Sequence, residues 1–338
     1  MAISAAATRE ATGAGALDRL LAATHDDMQK VNALILKRAE SHVDMVPELA
    51  RYLIDAGGKR LRPMLTVASA QLFGEPSGQH INFAAAVEFL HNATLLHDDV
   101  VDESDLRRGR PAARMIWGNQ ASVLVGDFLL GQAFMMMVET ENIPALGVIA
   151  RASTIIAEGE VFQLSKARDL TTTPAEYGEV IEAKTAMLFQ AATEVGAMAG
   201  GADETGRAAL RDYGRELGLA FQLVDDLLDY RGEAGTRGKN TGDDLREGKM
   251  TLPVILALAE ANPAEREIIT ASLGNADVSE TALAQVVSIL ERHGTLERTA
   301  EEAAGHVRRA REALNAAPES EMRTLLSDIA EFYLNRAF

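Results

Sequence analysis

Apolar residues recur along most of the chain at the three- and four-residue spacing of one helix face. Segments such as FGEPSG, TTTP, AGGADETG and EANPAE interrupt this pattern and mark helix ends, because Gly and Pro break helices. Between them we find no convincing run of alternating, β-branched residues typical of strands. The pattern predicts an all-α fold of roughly twelve to fourteen helices. Residues 1–15, which are rich in small side chains, are expected to form a flexible tail before one helical domain at 16–338.

The longest apolar stretch, ASVLVGDFLLGQAFMMMV, covers residues 121–138. Its length approaches that of a membrane span, but Asp127 and Gln132 interrupt it. The pattern therefore favours a buried core helix over a membrane-spanning one.

Two similar acidic motifs each follow an apolar helical pattern, near its C-terminal end. They are HDDVVD, with Asp98, Asp99 and Asp102, and VDDLLD, with Asp225, Asp226 and Asp229. Positions i and i+4 share a helix face and i+1 lies on the neighbouring stripe, so we expect each motif to project three carboxylates to one side.

Clustered carboxylates repel one another unless a cation neutralises them. Two unit charges at about 4 Å interact by roughly 4 kcal/mol at an effective dielectric near 20. Carboxylate oxygens without thiols or paired histidines suit Mg²⁺, with Mn²⁺ as a second possibility, and Mg²⁺ usually shares its ligand shell with substrate phosphates. The two motifs together indicate a bound polyphosphate, whereas a single motif could equally be a solvated helix end.

The overall charge limits the partners that this chain can have. A net charge of −17 argues against a nucleic-acid surface or a broad anionic-membrane surface, so an anionic ligand must be bound by local basic groups. Two basic clusters meet that need, GGKRLRP around Lys59 and Arg62, and RRGRP around Arg107 and Arg108. Arginine binds phosphate oxygens in bidentate fashion, although each cluster taken alone could be an ordinary surface patch. The lack of cysteine excludes thiolate ligands and suits a reducing compartment, and we expect a cytoplasmic protein.

These motifs resemble those of the trans-polyprenyl diphosphate synthase family. GGKRLRP, LLHDDVVDESDLRRGRP, GDFLL, KTAMLF, FQLVDDLLDY and GKNTGDDLREGKMTLP occur in the family's order from residue 57 onward. The resemblance implies a large antiparallel helical bundle around a deep central cavity, the isoprenoid synthase fold, and a homodimer. It also implies Mg²⁺-dependent condensation of isopentenyl diphosphate with an allylic diphosphate.

The resemblance assigns a role to each candidate residue. The direct metal ligands would be Asp98, Asp102 and Asp225, with the remaining charge supplied by Asp99, Asp226 and Asp229. Isopentenyl diphosphate would be bound by Lys59, Arg62, His91 and Arg108. The allylic diphosphate would be bound by Arg107, Lys184, Lys239 and Lys249. Thr185 and Gln222 would steady the allylic carbon and its leaving group. His91 could instead be an ordinary helix histidine.

Product length should depend on the helix face that precedes Asp98. The family's short-chain enzymes carry a bulky aromatic near the positions of Ala93 and Thr94, which are small here. The resemblance is therefore to the octaprenyl, solanesyl and decaprenyl group, which makes quinone side chains. Met136 or Met137 could form the floor of a tunnel for the growing chain, or could simply fill core space.

Several alternatives share parts of this pattern. A synthase of farnesyl to geranylgeranyl products would use the same motifs. A terpene cyclase shares the aspartate chemistry, but its second motif normally mixes Asn, Ser and Glu. A non-catalytic subunit of a two-component synthase would not need two intact motifs. We expect at most a peripheral membrane contact, for product release.

Overall fold

The computed structural model describes residues 15–55, 59–231 and 242–336. Within these ranges the helices are α1 (15–23), α2 (His25–Arg38), α3 (Met45–Asp55), α4 (Leu61–Gln71), α5 (Gln79–Val101), α6 (Ala113–Trp117), α7 (Asn119–Val138), α8 (Ile143–Lys166), α9 (Pro174–Ile181), α10 (Met187–Ala199), α11 (Glu204–Arg231), α12 (Asp243–Glu247), α13 (Leu252–Glu260), α14 (Pro263–Ser272), α15 (Glu280–Arg292), α16 (Thr295–Ala313) and α17 (Glu321–Leu334). A π-helical turn, Glu182–Ala186, joins α9 to α10, and a 3₁₀ turn, Leu314–Ala316, follows α16.

The all-α prediction is confirmed, but the predicted number of helices was too low. The described residues contain seventeen α-helices, and α6 and α12 have only five residues each, too few to show a periodic pattern. The predicted tail lies outside the described residues except for Gly15, which is already helical.

One small hairpin departs from the all-helical pattern. β1 (Leu106–Arg107) pairs antiparallel with β2 (Arg110–Pro111), with Arg107 opposite Arg110. The two residues of the turn, Arg108 and Gly109, have φ angles of 53° and 74°. Positive φ at both central positions is the requirement of a type I′ turn, which matches the twist of the two strands. The hairpin thereby fixes the direction of the basic cluster that follows the first aspartate motif.

The larger apolar core lies among α4, α5, α7, α8 and α10, with contributions from the terminal helices. Close packing of α11 on the π-helical turn depends on small residues. A Cβ atom at Gly218 would lie 2.5 Å from the Cα atom of Ala186, and one at Gly214 would lie 2.6 Å from the carbonyl oxygen of Phe189. Glycine at these positions lets the helix that carries the second aspartate motif approach the turn that carries Lys184 and Thr185.

A second apolar core lies under the C-terminal half of α11. Its buried residues include Leu223 and Leu227 on α11, Leu245 on α12 and Leu252 on α13. The N-terminal half of α11 contributes residues such as Leu210 to the first core, and its C-terminal half contributes to the second. The second aspartate motif is therefore carried by a helix that is anchored in both cores.

The apolar stretch around residues 121–138 forms α7, and only one face of it is buried. Val125, Leu129 and Met136 lie in the core, whereas Leu124 and Met135 are 66% and 53% exposed. Within the described residues, the helical segment Ala113–Val138 is long and apolar enough to cross a membrane by length and composition alone. The prediction of a core helix is therefore right for the buried face of α7, but it does not account for the exposed apolar face that carries Leu124 and Met135.

Candidate active site

The first aspartate motif lies in the last turn of α5, with Asp102 as the residue that caps the helix. Asp98 is half-buried, and burial raises its pKa to about 7, with Glu160 and Asp102 adding to the shift against an opposing effect of Lys184. Asp99 does not project with the other two carboxylates. It is 1% exposed and accepts a hydrogen bond from Arg107 Nε at 2.8 Å. The expectation of three carboxylates on one side is therefore wrong for this motif.

The second motif lies at the C-terminal end of α11 and is divided in a similar way. Asp225 is exposed, whereas Asp226 is buried and accepts hydrogen bonds from Tyr177 Oη at 2.6 Å and Gln222 Nε2 at 2.7 Å. Burial raises the pKa of Asp226 to about 7, with further contributions from Asp244 and Asp225.

Asp229 serves the backbone rather than facing the other carboxylates. Its two carboxylate oxygens accept the backbone N–H groups of Asp243 and Asp244, at 3.2 and 3.1 Å. Because both groups lie in the first turn of α12, Asp229 supports the start of that helix. It thereby ties the second motif to the segment that carries Lys249.

The π-helical turn brings two predicted residues to the two motifs at once. Thr185 Oγ1 donates to Gln222 Oε1 at 2.7 Å, and Gln222 in turn donates to Asp226. Its neighbour Lys184 pairs with Glu160 at 2.8 Å and influences the Asp98 carboxyl. Short π-helical insertions inside helices are frequent at functional sites, because they redirect successive side chains. Adjacent residues of one turn therefore connect the second motif and the first.

A second group of predicted residues forms a basic pocket beside α5. Arg62 is half-buried; its Nη1 lies 3.3 Å from His91 Nε2, and its guanidinium carbon lies 4.4 Å from the centre of the Phe189 ring. Burial lowers the pKa of Arg62 to about 10. Burial, together with Arg62, Arg108 and Arg107, lowers the pKa of His91 well below its usual value, so the imidazole is neutral near pH 7.

Lys59 and Arg108 lie at the edge of this pocket. Lys59 Nζ lies 5.1 Å from the centre of the Phe332 ring, and burial, with some contribution from Arg336, lowers its pKa. Arg108 is exposed, and its pKa is also lowered, chiefly by removal from water. The predicted cations that act on His91 are thus Arg62 on α4 and Arg107 and Arg108 on the hairpin.

The remaining cations are paired with carboxylates of the first motif or its neighbours. Arg107 binds Asp99, and Lys249 Nζ lies 3.5 Å from Asp102 Oδ2 and contacts Glu247. Burial alone would lower the pKa of Lys249, but Asp244, Asp102 and Glu247 raise it above its usual value. Lys239 lies outside the described residues.

The donor set fits a hard divalent cation that is shared with a substrate. Among the residues that the structure describes, no three His, Asp or Glu side chains converge closely enough to hold a metal ion alone. Asp99 Oδ2 is buried without a hydrogen-bond partner in this part of the chain, and the raised pKa of Asp98 shows that its charge lacks full compensation. Asp98, Asp102 and Asp225 offer only oxygen donors, so a diphosphate would have to complete the shell of a Mg²⁺ ion.

The residues predicted to control product length lie on two helices, Ala93 and Thr94 on α5 before the first motif and Met136 and Met137 on α7. Ala93 is 1% exposed, and Thr94 donates its hydroxyl to the His91 carbonyl oxygen at 2.8 Å. Met136 and Met137 on α7 are both fully buried. Burial is compatible with a tunnel floor and with core packing, so their role stays a prediction.

The sequence patterns missed three residues that contact the site. Tyr177 binds Asp226, Glu160 binds Lys184, and Glu88 is a half-buried acid among the arginines around His91. Nothing in the pattern around Tyr177 or Glu160 indicates these contacts. Glu88 could have been found, because it lies three residues before His91 and therefore on a neighbouring position of the same helix face.

Comparison with known proteins decides the family. A family model described as polyprenyl synthetase matches residues 43–290. The chain belongs to this family. It is therefore a prenyltransferase of the trans-polyprenyl diphosphate synthase family, with the isoprenoid synthase helical fold.

Relatives match along almost the whole chain. Octaprenyl diphosphate synthase of Haemophilus influenzae is 41% identical over 322 residues, which cover 95% of this chain and 98% of the relative. The crystal structure of a decaprenyl diphosphate synthase from Rhodobacter capsulatus is 50% identical, with a TM-score of 0.91, and covers 95% of this chain and 99% of that one. A polyprenyl synthase from Caulobacter crescentus, crystallised with calcium and isoprenyl diphosphate, is also 50% identical, with a TM-score of 0.90 and coverage of 94% and 97%.

Shorter-chain members of the family match as well. Geranylgeranyl diphosphate synthase of Methanosarcina mazei is 36% identical over 321 residues, which cover 90% of this chain and 97% of the relative. Membership of the polyprenyl synthetase family therefore leaves the product length open.

Proposed function

We propose that this prenyltransferase condenses isopentenyl diphosphate onto an allylic diphosphate and makes products of octaprenyl to decaprenyl length for quinone side chains. The observation that carries the proposal is the π-helical turn. Through it, Thr185 reaches Gln222 and Asp226 of the second motif while Lys184 lies beside Asp98 of the first. The similarity to octaprenyl and decaprenyl synthases and the small side chain of Ala93 support a long product.

Arg62 and His91 are suited to bind the diphosphate of isopentenyl diphosphate. A guanidinium group only donates hydrogen bonds, so His91 Nε2 must accept from Arg62 Nη1. The neutral imidazole then carries its proton on Nδ1, where it can donate to a phosphate oxygen. Arg62 is half-buried, and its contact with the Phe189 ring helps to hold the guanidinium in place. Lys59 and Arg108 add charge at the edge.

The allylic diphosphate would lie between the two motifs, close to Lys184, Lys249 and Arg107. Mg²⁺ held by Asp98, Asp102 and Asp225 would neutralise charge that develops on the leaving diphosphate. Gln222 is fixed in one orientation, because its oxygen accepts from Thr185 and its amide donates to Asp226. The Thr185 hydroxyl and the Gln222 oxygen therefore form a preorganised polar wall beside the reacting carbon.

We further propose that the exposed apolar face of α7 and α8 binds a second copy of the chain. Leu124 and Met135 on α7 and Val161 and Leu164 on α8 are all more than half exposed. Leu124 and Met135 are eleven residues apart and so lie on one helix face. Several large apolar side chains exposed on two sequential helices exceed the scattered single ones that are normal on a protein surface, and such clusters are typical of interfaces between proteins. Light scattering should give twice the chain mass of 36.3 kDa, and Leu124→Glu should give a monomer.

The proposed reaction is tested by a product assay. Purified protein is incubated with labelled isopentenyl diphosphate, Mg²⁺ and, in separate reactions, geranyl, farnesyl or geranylgeranyl diphosphate, and the products are hydrolysed and sized. We expect one long prenol as the main product. A main product of farnesyl or geranylgeranyl length would identify a shorter-chain synthase instead. No product with any primer would favour a non-catalytic subunit. Cell fractionation tests the proposed cytoplasmic location with peripheral membrane contact.

A further inference from the structure

The connector between α8 and α9 carries an arginine that no motif singled out. Arg168 has a φ angle of 61°, which is unusual for a residue other than glycine. Its backbone N–H donates to the carbonyl oxygen of Gly248 at 3.1 Å, and its Nη2 donates to the carbonyl oxygen of Gly274 at 2.7 Å. One residue thereby joins three segments that are distant in sequence.

The two glycines leave space that the Arg168 side chain fills. A Cβ atom at Gly248 would lie 2.9 Å from Arg168 Cγ, and one at Gly274 would lie 2.1 Å from Arg168 Nε. Both glycines also have positive φ angles, of 78° and 71°. The Gly274 N–H in turn donates to the carbonyl oxygen of Leu245 at 2.8 Å. The contact is therefore an interlocked one rather than a loose surface hydrogen bond.

The connector itself is firmly attached to α9. Lys166 pairs with Glu176 at 2.7 Å and with Asp169 at 3.4 Å. Thr173 and Glu176 form a reciprocal capping box at the start of α9. Arg168 thus projects from a segment whose two ends are held, which makes it a rigid support for its partners.

The segment that Arg168 holds leads directly into the site. Gly248 precedes Lys249, whose Nζ lies 3.5 Å from Asp102 Oδ2 of the first aspartate motif. The backbone of Lys249 is fixed at the same place, because its N–H donates to the carbonyl oxygen of Asp244 at 2.9 Å. A shift of the Gly248 carbonyl would move the lysine away from the first motif.

We propose that Arg168 is a positioning residue that holds the Gly248–Lys249 backbone so that the lysine reaches the allylic diphosphate. This inference rests on the proposed function, which assigns Lys249 to that substrate. Arg168 itself is exposed and touches no substrate group; it acts through the backbone of its neighbour. If Arg168 only stabilised the fold, its loss would instead lower stability and change the KM values of both substrates equally.

The experiment compares Arg168→Ala with a matched control, Arg266→Ala. Arg266 is also exposed and also donates to a backbone carbonyl, that of Leu258 at 2.6 Å, but it lies at the junction of α13 and α14. Arg168→Ala keeps the backbone hydrogen bond to Gly248 but removes the side chain that packs against Gly248 and donates to the carbonyl oxygen of Gly274. Because the loss of this packing and of a charged hydrogen bond lets the Gly248 backbone shift, we expect the KM for farnesyl diphosphate to rise about tenfold. The KM for isopentenyl diphosphate should stay unchanged, as should both values in Arg266→Ala. Arg168→Lys should recover part of the loss.

Two further measurements separate the inference from its alternatives. Arg168→Ala should add no further loss to Lys249→Ala, because both act through one contact. Hydrogen exchange of the Lys249 amide in the free protein should be faster in Arg168→Ala than in the wild type. The exchange measurement needs no turnover, so it tests whether Arg168 positions Lys249 even if the wild type forms no prenyl product. A lack of product would refute the proposed function alone. Equal increases in both KM values, additive losses in the double variant, or unchanged exchange would each overturn the inference.

Discussion

An aromatic side chain at Ala93 tests where the growing product runs. Ala93 lies five residues before Asp98 on α5, about 7.5 Å lower along the helix axis. Its neighbours on the same face, Leu90 and Val87, are buried as well. If the tail passes this face, Ala93→Tyr should stop elongation at about fifteen to twenty carbons, as the blocked depth implies. Condensation onto short primers should persist.

The same helix offers a matched control position and a second position at greater depth on the same face. Ala84 is nine residues from Ala93 and so faces the opposite side of α5, whereas Ala86 is seven residues away and shares the face. Both are fully buried. Ala84→Tyr should lower stability by about 1–3 kcal/mol through overpacking and leave product length unchanged. Ala86→Tyr should block about 10.5 Å deeper than Ala93→Tyr and give an intermediate product.

The measurement is product size beside melting temperature for each variant. Opening the presumed floor with Met136→Ala or Met137→Ala should lengthen the product if these residues cap the tail. If they only fill the core, removing such a fully buried side chain should cost about 2–5 kcal/mol and leave the product unchanged. An unaltered product length in Ala93→Tyr would refute this course for the tail, whatever the stability.

Three further predictions concern the metal, the motifs and the supporting ion pairs. Excess chelator should abolish turnover, and Mg²⁺ or Mn²⁺ should restore it; full activity in chelator would exclude a metal site. Asp98→Ala and Asp225→Ala should lower turnover at least about a hundredfold with an intact helical spectrum, whereas Asp212→Ala, an exposed acid on the same helix as Asp225, should not. Burial alone would raise the pKa of Glu216, but His306 and Arg309 lower it to about 2 in the folded protein, against 4.5 when unfolded. The ionised Glu216 therefore stabilises the fold above pH 4.5 and loses this effect as the pH falls toward 2. Near pH 7, Glu216→Gln should therefore lower the free energy of unfolding, measured by urea denaturation, by about 2–3 kcal/mol. This difference from the wild type should narrow below pH 4.5, and a difference that does not depend on pH would contradict the prediction.

Periodicity was sufficient to predict the parts of the site that long helices carry. The apolar stripes of α5 and α11 each end at an aspartate motif, and the chain places both motifs where the pattern indicated. The family resemblance assigned Thr185 and Gln222 to the same substrate, and the structure adds a hydrogen bond between them that was not predicted. A helix face is a local property of the sequence, so it can be read without knowing the neighbours.

Contacts between distant segments could not be read in this way. The sequence does not show that Tyr177 turns its hydroxyl to Asp226, because the two residues lie 49 positions apart. Nor does it show that the backbone changes from α to π geometry between Ile181 and Met187, since that change depends on packing against α11. Arg168 is equally invisible, because its role depends on two glycines that occur much later in the chain.

The two aspartate motifs look alike in sequence but have different physical tasks. In each, the middle carboxylate binds a protein donor, Arg107 for Asp99 and Tyr177 for Asp226. Asp229 is further committed to the backbone of α12, whereas its counterpart Asp102 faces Lys249. The first motif therefore keeps all three of its carboxylates near cations, whereas the second keeps Asp225 directed to solvent.

The ion pairs of the site's cations affect how the allylic diphosphate can bind. Arg107, Lys184 and Lys249, which would bind the allylic diphosphate, are each paired with a carboxylate of this chain. A free diphosphate would have to displace those carboxylates and leave them uncompensated beside it, which is unfavourable in a partly buried site. A diphosphate that arrived with Mg²⁺ would lower this cost at Lys249, because its partner Asp102 is one of the residues that would hold the metal. We therefore expect the ion pair between Lys249 and Asp102 to favour the metal-bound form of the substrate over the free anion.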